Sequence, residues 1–276
     1  MNAFLLSPRA IERPWGRSPL PGGYAGLAPA DRRIGEIWFE GPASALLVKR
    51  LFTSERLSIQ VHPDDAHAHA AGHPCGKDEA WIVTSAEPGA VIGIGLKRKV
   101  EPEALRAAAE DGSIVDLLDW RPVRRGTVLF APAGTIHAIG GGIELIEIQQ
   151  NCDITYRLYD YGRPRELHLE QGLAVASPAP LAASASESGI GPGRDVLAHG
   201  RAFVLERWQN AAGMVRGSAS RPVTLVMADD ASGSLGTEAV LPDQVWMVTG
   251  DIPVAARGTV YAAYPGSSIA PGLIAA

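Results

Sequence analysis

Apolar and β-branched residues recur in short runs along the first two-thirds of the chain, several with polar residues at every second place, and glycine and proline break the runs apart. A period of two marks a strand that buries one face. It predicts strands over Gly35–Glu40, Leu46–Phe52, Ser58–Val61, Glu79–Val83, Ala90–Gly95, Gly126–Phe130, Gly142–Gln149 and Tyr156–Tyr159. Between Glu101 and Trp120 the period lengthens to three and four residues after Pro102, which predicts one or two short helices. A further short helix is expected over Arg165–Ala174. Ser177–Gly193 is small, polar and rich in proline and glycine, the composition of a linker. Beyond it, Phe203–Trp208, Val223–Met227, Gln244–Thr249 and Thr259–Ala263 read as strands of a second, smaller β unit. The expected division is a β domain over 1–176 with a helical insertion around 101–120, a linker over 177–194, and a C-terminal β domain over 195–276.

Composition narrows the partners. With 21 prolines and 31 glycines in 276 residues, turns are frequent, which favours a mainly β fold over a helical one. The formal net charge of −5 argues against nucleic acid as the main partner, because phosphate backbones call for a basic surface. It leaves room for a local basic pocket. Two cysteines, Cys75 and Cys152, cannot build a disulfide scaffold and lie in no CxxC pattern, so a reduced, cytoplasmic setting is expected. The opening MNAFLLSPRAIERPWG has no basic segment before its short apolar run, and no signal peptide is expected. No apolar stretch reaches the length of a membrane span.

Four side chains carry the candidate chemistry. Gln60 and His62 stand two apart on a predicted strand and so point to one face. Glu79 follows downstream, and His137 begins the strand after the turn shaped by Pro132 and Gly134. Two imidazoles, a carboxylate and an amide oxygen suit a borderline divalent ion such as zinc. Beside them, Lys77 and Arg157 fit as cations for an anionic sugar, and Glu147 as a carboxylate for proton transfer. His67, His69 and His73 follow Asp64 and Asp65 at a helix start and are expected to be solvated, as is His168 on the later helix.

Gly126-x5-Pro132-x-Gly134-x2-His137 resembles the second motif of the cupin barrel, and Gln60-Val61-His62 with Glu79 resembles the first, with glutamine where many cupins have histidine. Three blocks, Leu57–Asp64, Gly76–Trp81 and Pro132–Ala138, closely resemble the type I mannose-6-phosphate isomerases, or phosphomannose isomerases. Glu147–Tyr161, Arg13-Pro14-Trp15-Gly16 and Gly35-Glu36-Ile37-Trp38 are similar to the short bacterial form, from about residue 10 to 176. From Ser177 onward the likeness fades. The resemblance implies a cupin (jelly-roll) barrel with short helical insertions and a second, degenerate cupin-like β domain without metal ligands. It implies one zinc ion per chain, held by Gln60, His62, Glu79 and His137. It makes Arg157 the catalytic arginine, Lys77 a substrate-contacting lysine, Glu147 an acidic residue lining the pocket and Ser58 a pocket position. The implied reaction interconverts mannose 6-phosphate and fructose 6-phosphate through an enediol, in a monomer or homodimer that binds neither nucleic acid nor membrane. Two other readings stand beside it: another metal-dependent cupin enzyme (a different sugar isomerase or a dioxygenase), and a non-catalytic sugar-phosphate-binding cupin.

Overall fold

The computed structural model describes residues 2–42, 44–182 and 187–275. Strands dominate and pair antiparallel, and two sheets hold the motif residues. In the five-stranded sheet the order is Tyr156–Tyr159, Ile59–Val61, His137–Ile139, Val91–Leu96 and Leu118–Pro122. In the six-stranded sheet it is Ser7–Arg17, Ile34–Glu40, Leu46–Thr53, Ile143–Gln150, Glu79–Ala86 and Val128–Ala131. Trp15, Leu51, Trp81, Val83, Ile92, Ile94, Ile139 and Leu145 form one buried cluster drawn from both sheets. The fold is of the cupin type, though these pairings leave two separate sheets with edges and do not close into a hydrogen-bonded barrel.

Alternation decides what each face of the five-stranded sheet meets. Ile59, Val61, Ile136 and Ala138 share a buried cluster with Leu105, Ala108, Ala109 and Ile114 of the helices. The helical insertion, Pro102–Asp111 and Ile114–Leu117, therefore covers the outer face. Proline sits in the first turn of the longer helix, and Gly112, at φ 86, ends it in the left-handed conformation. Residues of the opposite parity, Gln60, His62 and His137, are left for the inner face. Gly134, at φ 87, makes the turn before His137 and donates its N–H to the His62 carbonyl at 2.8 Å, tying the two motifs together.

Two expectations need correction. The eleven-residue strand Ser7–Arg17 was not anticipated, because Pro8 and Pro14 interrupt it; both are tolerated there since it is the outermost strand of its sheet. Nor is 177–194 a plain linker. Residues 183–186 lie outside the described residues, but Glu187–Gly191 is an edge strand paired with Arg194–His199. That strand has two glycines and a single apolar residue, Ile190, which packs against the core, so no alternation signals it.

The chain divides into two compact units: 10–37 with 49–183, and 1–9 with 38–48 and 184–276. The second contains a seven-stranded sheet, from Ala3–Leu5 at one edge to Glu187–Gly191 at the other, and a five-stranded sheet, around a core that includes Trp208, Leu225, Val248 and Tyr264. Within it Arg194 donates to both Glu206 carboxylate oxygens at 2.9 and 2.8 Å, and Trp208 and Tyr264 each add a 2.7 Å hydrogen bond to the same carboxylate.

Candidate active site

Strand register brings the predicted ligands together. His137 pairs opposite Gln60 on one side of the Ile59–Val61 strand, and Arg157 pairs opposite Gln60 on the other. From the facing sheet, Glu79 opens its strand opposite Gln149, and Glu147 stands opposite Trp81. His62, Glu79 and His137 are buried, and their ligating atoms all lie within 4.8 Å of one another.

The hydrogen bonds fix which atoms face inward. His62 Nδ1 is 2.8 Å from the Ile154 carbonyl, and His137 Nδ1 is 2.9 Å from that of Thr135. A carbonyl can only accept, so both Nδ1 atoms carry the proton and both Nε2 atoms present lone pairs. Burial, with the Lys77 ammonium nearby, pushes the His62 imidazole down to about 4, and burial likewise lowers His137. Both rings are neutral near pH 7. Between them sits Glu79 Oε1, 3.4 Å from His62 Nε2 and 3.1 Å from His137 Nε2. It is buried without a hydrogen-bond donor. Burial disfavours the Glu79 charge, yet the Lys77 ammonium beside it is the largest opposing influence, and the carboxyl stays well below its usual range. Three lone-pair donors facing one another fit a cation.

Gln60 completes the ring of groups. Its amide nitrogen is 3.2 Å from His137 Nε2, and its oxygen accepts from the Ser58 hydroxyl at 3.1 Å. Lys77 Nζ donates to Glu79 Oε2 at 2.5 Å and to His62 Nε2 at 3.0 Å. Lys77 precedes the strand that Glu79 opens, but it is buried with it.

The cluster borders a cavity of about 340 Å³ lined by Ser58, Gln60, Lys77, Glu147 and Arg157, among others. Glu147 accepts from Trp81 Nε1 at 3.0 Å and lies 3.5 Å from Lys49. Burial outweighs the neighbouring ammonium groups and raises its carboxyl above the ordinary range. Arg157 donates to the Glu166 carbonyl at 2.9 Å, while its Nε is buried without a partner. Ile139 adds an apolar wall.

Sequence reading missed part of this wall. Lys49, buried beside Asp153 at 3.1 Å, lines the cavity, as do Arg13, paired with Glu36 at 3.0 Å, and Arg165. A lysine inside the apolar run LLVKRLF was the available signal for the first. His168 also needs correction: it is half-buried and lines the cavity, and its Nδ1 accepts the Arg157 N–H at 3.3 Å. It precedes the helix Leu169–Val175 as its N-cap, which turns the ring toward the strand. His67, His69 and His73 are exposed as expected, with Asp64 capping the helix start.

Fold and site together define a cupin-type β protein with a buried His–Glu–His cluster that could hold a metal ion, beside a polar cavity. No protein-family model matches the chain. It is 35% identical over 238 residues to the mannose-6-phosphate isomerase of Streptococcus mutans, covering 76% of this chain and 73% of that one. Against the mannose-6-phosphate isomerase ManA of Bacillus subtilis it is 41% identical over 144 residues, 49% of this chain and 45% of that protein. Among solved structures, a Bacillus subtilis mannose 6-phosphate isomerase shares the fold with a TM-score of 0.78, at 23% identity, over 95% of this chain and 99% of that one. A mutant of phosphomannose isomerase from Salmonella typhimurium gives 0.71 at 14% identity, over 96% and 100% of the two chains. The chain belongs to the mannose-6-phosphate isomerase family and is an enzyme of that family.

Proposed function

We propose that the enzyme interconverts mannose 6-phosphate and fructose 6-phosphate, with one zinc ion held by Gln60, His62, Glu79 and His137. The observation that carries the reading is Glu79 Oε1, buried without a donor and 3.1 to 3.4 Å from two imidazole nitrogens that can only accept. Two nitrogens, a carboxylate and an amide oxygen suit zinc. Bound there, the ion supplies Lewis-acid polarisation of the sugar's oxygens.

Aldose–ketose exchange moves a proton between adjacent carbons through an enediol. Glu147 has the environment for that transfer: its raised carboxyl faces the cavity and is oriented by Trp81 Nε1. Arg157 and Lys77 bring positive charge to the oxygens that become electron-rich, and Ser58 orients Gln60. Arginine suits this task because its planar fork stays charged at any working pH. Among the described residues, no helix is long and apolar enough to cross a membrane. The two free thiols, Cys75 and Cys152, fit a reducing, cytoplasmic setting.

The test is metal analysis of the purified protein alongside an assay coupling fructose 6-phosphate production from mannose 6-phosphate. Stoichiometric divalent metal and turnover are expected together. Bound metal without turnover on this sugar defeats the substrate assignment, and undiminished turnover by metal-stripped protein defeats the metal's role.

A further inference from the structure

Asp160 follows the Tyr156–Tyr159 strand, is only 2% exposed, and is not among the residues that line the cavity. Its carboxylate is shared by two arginines. Arg165 donates Nε to Oδ2 at 2.6 Å and Nη2 to Oδ1 at 2.7 Å, and Arg163 Nη2 lies 2.8 Å from Oδ1. Arg163 also reaches the Arg56 carbonyl at 2.8 Å, and its backbone N–H returns to the Asp160 carbonyl at 3.0 Å. The segment thus folds around one buried carboxylate, through Tyr161 and Gly162 at φ 55 and 77. A tyrosine at positive φ is costly and persists where its surroundings over-determine it.

What this turn presents is a clamp on Arg157. The Glu166 carbonyl takes Arg157 Nη1 at 2.9 Å. The His168 N–H donates to the Arg157 carbonyl at 2.8 Å, and His168 Nδ1 accepts the Arg157 N–H at 3.3 Å. We propose that Asp160 is a positioning residue of the reaction: by pinning Arg163 and Arg165 it sets the carbonyl that aims the Arg157 guanidinium into the cavity. The inference rests on the reading of Arg157 as the substrate-facing cation. Asp160 lines neither the cavity nor the His–Glu–His cluster, so it reaches the reaction through the arginines and the turn that it holds.

Asp160→Asn keeps the shape and removes the charge that two guanidiniums share. In the metal-loaded enzyme it should leave metal content unchanged and lower kcat on the order of 10²-fold, the cost of a small misplacement at a reacting centre. Introduced on top of Arg157→Ala, the same substitution should cost little more, because it acts through a side chain already gone. Arg163→Gln, which keeps the carboxylate, should give a milder loss of the same kind. An unchanged kcat overturns the proposal, and so does an equal fractional loss in both backgrounds, or a parallel loss of metal and melting temperature. Should the wild type bind mannose 6-phosphate without turning it over, the functional reading fails instead. The same cycle read on its Kd then decides the positioning role.

Discussion

Replacing His137 with alanine separates the metal's contribution to stability from that of the ring itself. In the intact protein the ring packs against Trp81 and His62, with centroids 5.2 and 4.8 Å apart, and its Nε2 accepts from Gln60 at 3.2 Å. Without metal, the substitution removes the acceptor of the half-buried Gln60 N–H₂, a loss of about 0.5–1.5 kcal/mol. The larger effect is linkage. An ion present at a hundred times its Kd stabilises the folded state by about 2.7 kcal/mol. At about 2–4 °C per kcal/mol for a domain of this size, chelation should lower the wild-type melting temperature by about 5–10 °C. His137→Ala leaves His62 and Glu79 as the strong donors, too few to hold the ion, so it should melt lower than wild type and show no response to chelator. The assay is a thermal melt of both proteins with and without chelator, beside metal analysis. Equal chelator shifts in the two proteins, or none in the wild type, would refute the assignment of these lone pairs to a cation.

Two further outcomes follow from buried charge. In chelated protein, folded His62 titrates near 4 against 6.5 when unfolded, so the unfolded chain takes the proton first as pH falls. Stability should be complete above pH 6.5 and decline towards pH 4, by about 3 kcal/mol from this group; urea melts that are flat across that window contradict the buried neutral ring. In the C-terminal unit, Glu206→Gln leaves the Arg194 guanidinium without its counter-charge, and denaturant melts should record a loss of about 3–5 kcal/mol in that unit. A loss below about 1 kcal/mol would mean the pair is dispensable.

Much of the candidate site was legible because strand parity is local. Gln60 and His62 share a face whatever the sheet does, and Ile59 and Val61 must then meet the helices, as they do. Gly134 and Pro132 likewise fix the turn that delivers His137 within a few residues. What could not be read depends on which strands face each other. Leu46–Thr53 is buried along its whole length, so its sequence shows no alternation, and the partners that hold Lys49 at the cavity, Asp153 and Glu147, lie a hundred residues or so away. Arg13 sits in a strand disguised by prolines, and His168 was assigned to the interior of a helix that begins one residue after it. In the C-terminal unit, strands such as Ser232–Leu235 and Glu238–Val240 are short and built partly of small or polar residues, and their pairing owes little to side-chain pattern.

The distribution of charge bears on how the proposed site could take an anion in a chain of net charge −5. Most cations around the cavity already have a carboxylate: Arg13 has Glu36, Lys49 has Asp153 and Glu147, Lys77 has Glu79, and Arg165 has Asp160. Such pairs hold the wall in place and leave little net field. Arg157 differs, because its hydrogen bond goes to a carbonyl, its Nε has no partner, and among the described residues it forms no ion pair. Burial and the neighbouring Arg165 lower its affinity for its own proton, which is the signature of positive charge awaiting compensation. An anionic oxygen arriving in the cavity relieves that deficit, whereas a neutral sugar does not. The raised carboxyl of Glu147 and the depressed carboxyl of Glu79 stand on the same facing sheet, two strand residues apart in parity and opposite in burial balance. One fold thereby pushes two neighbouring carboxyls in opposite directions, which is the division of labour that the proposed movement of a hydrogen between neighbouring carbons calls for.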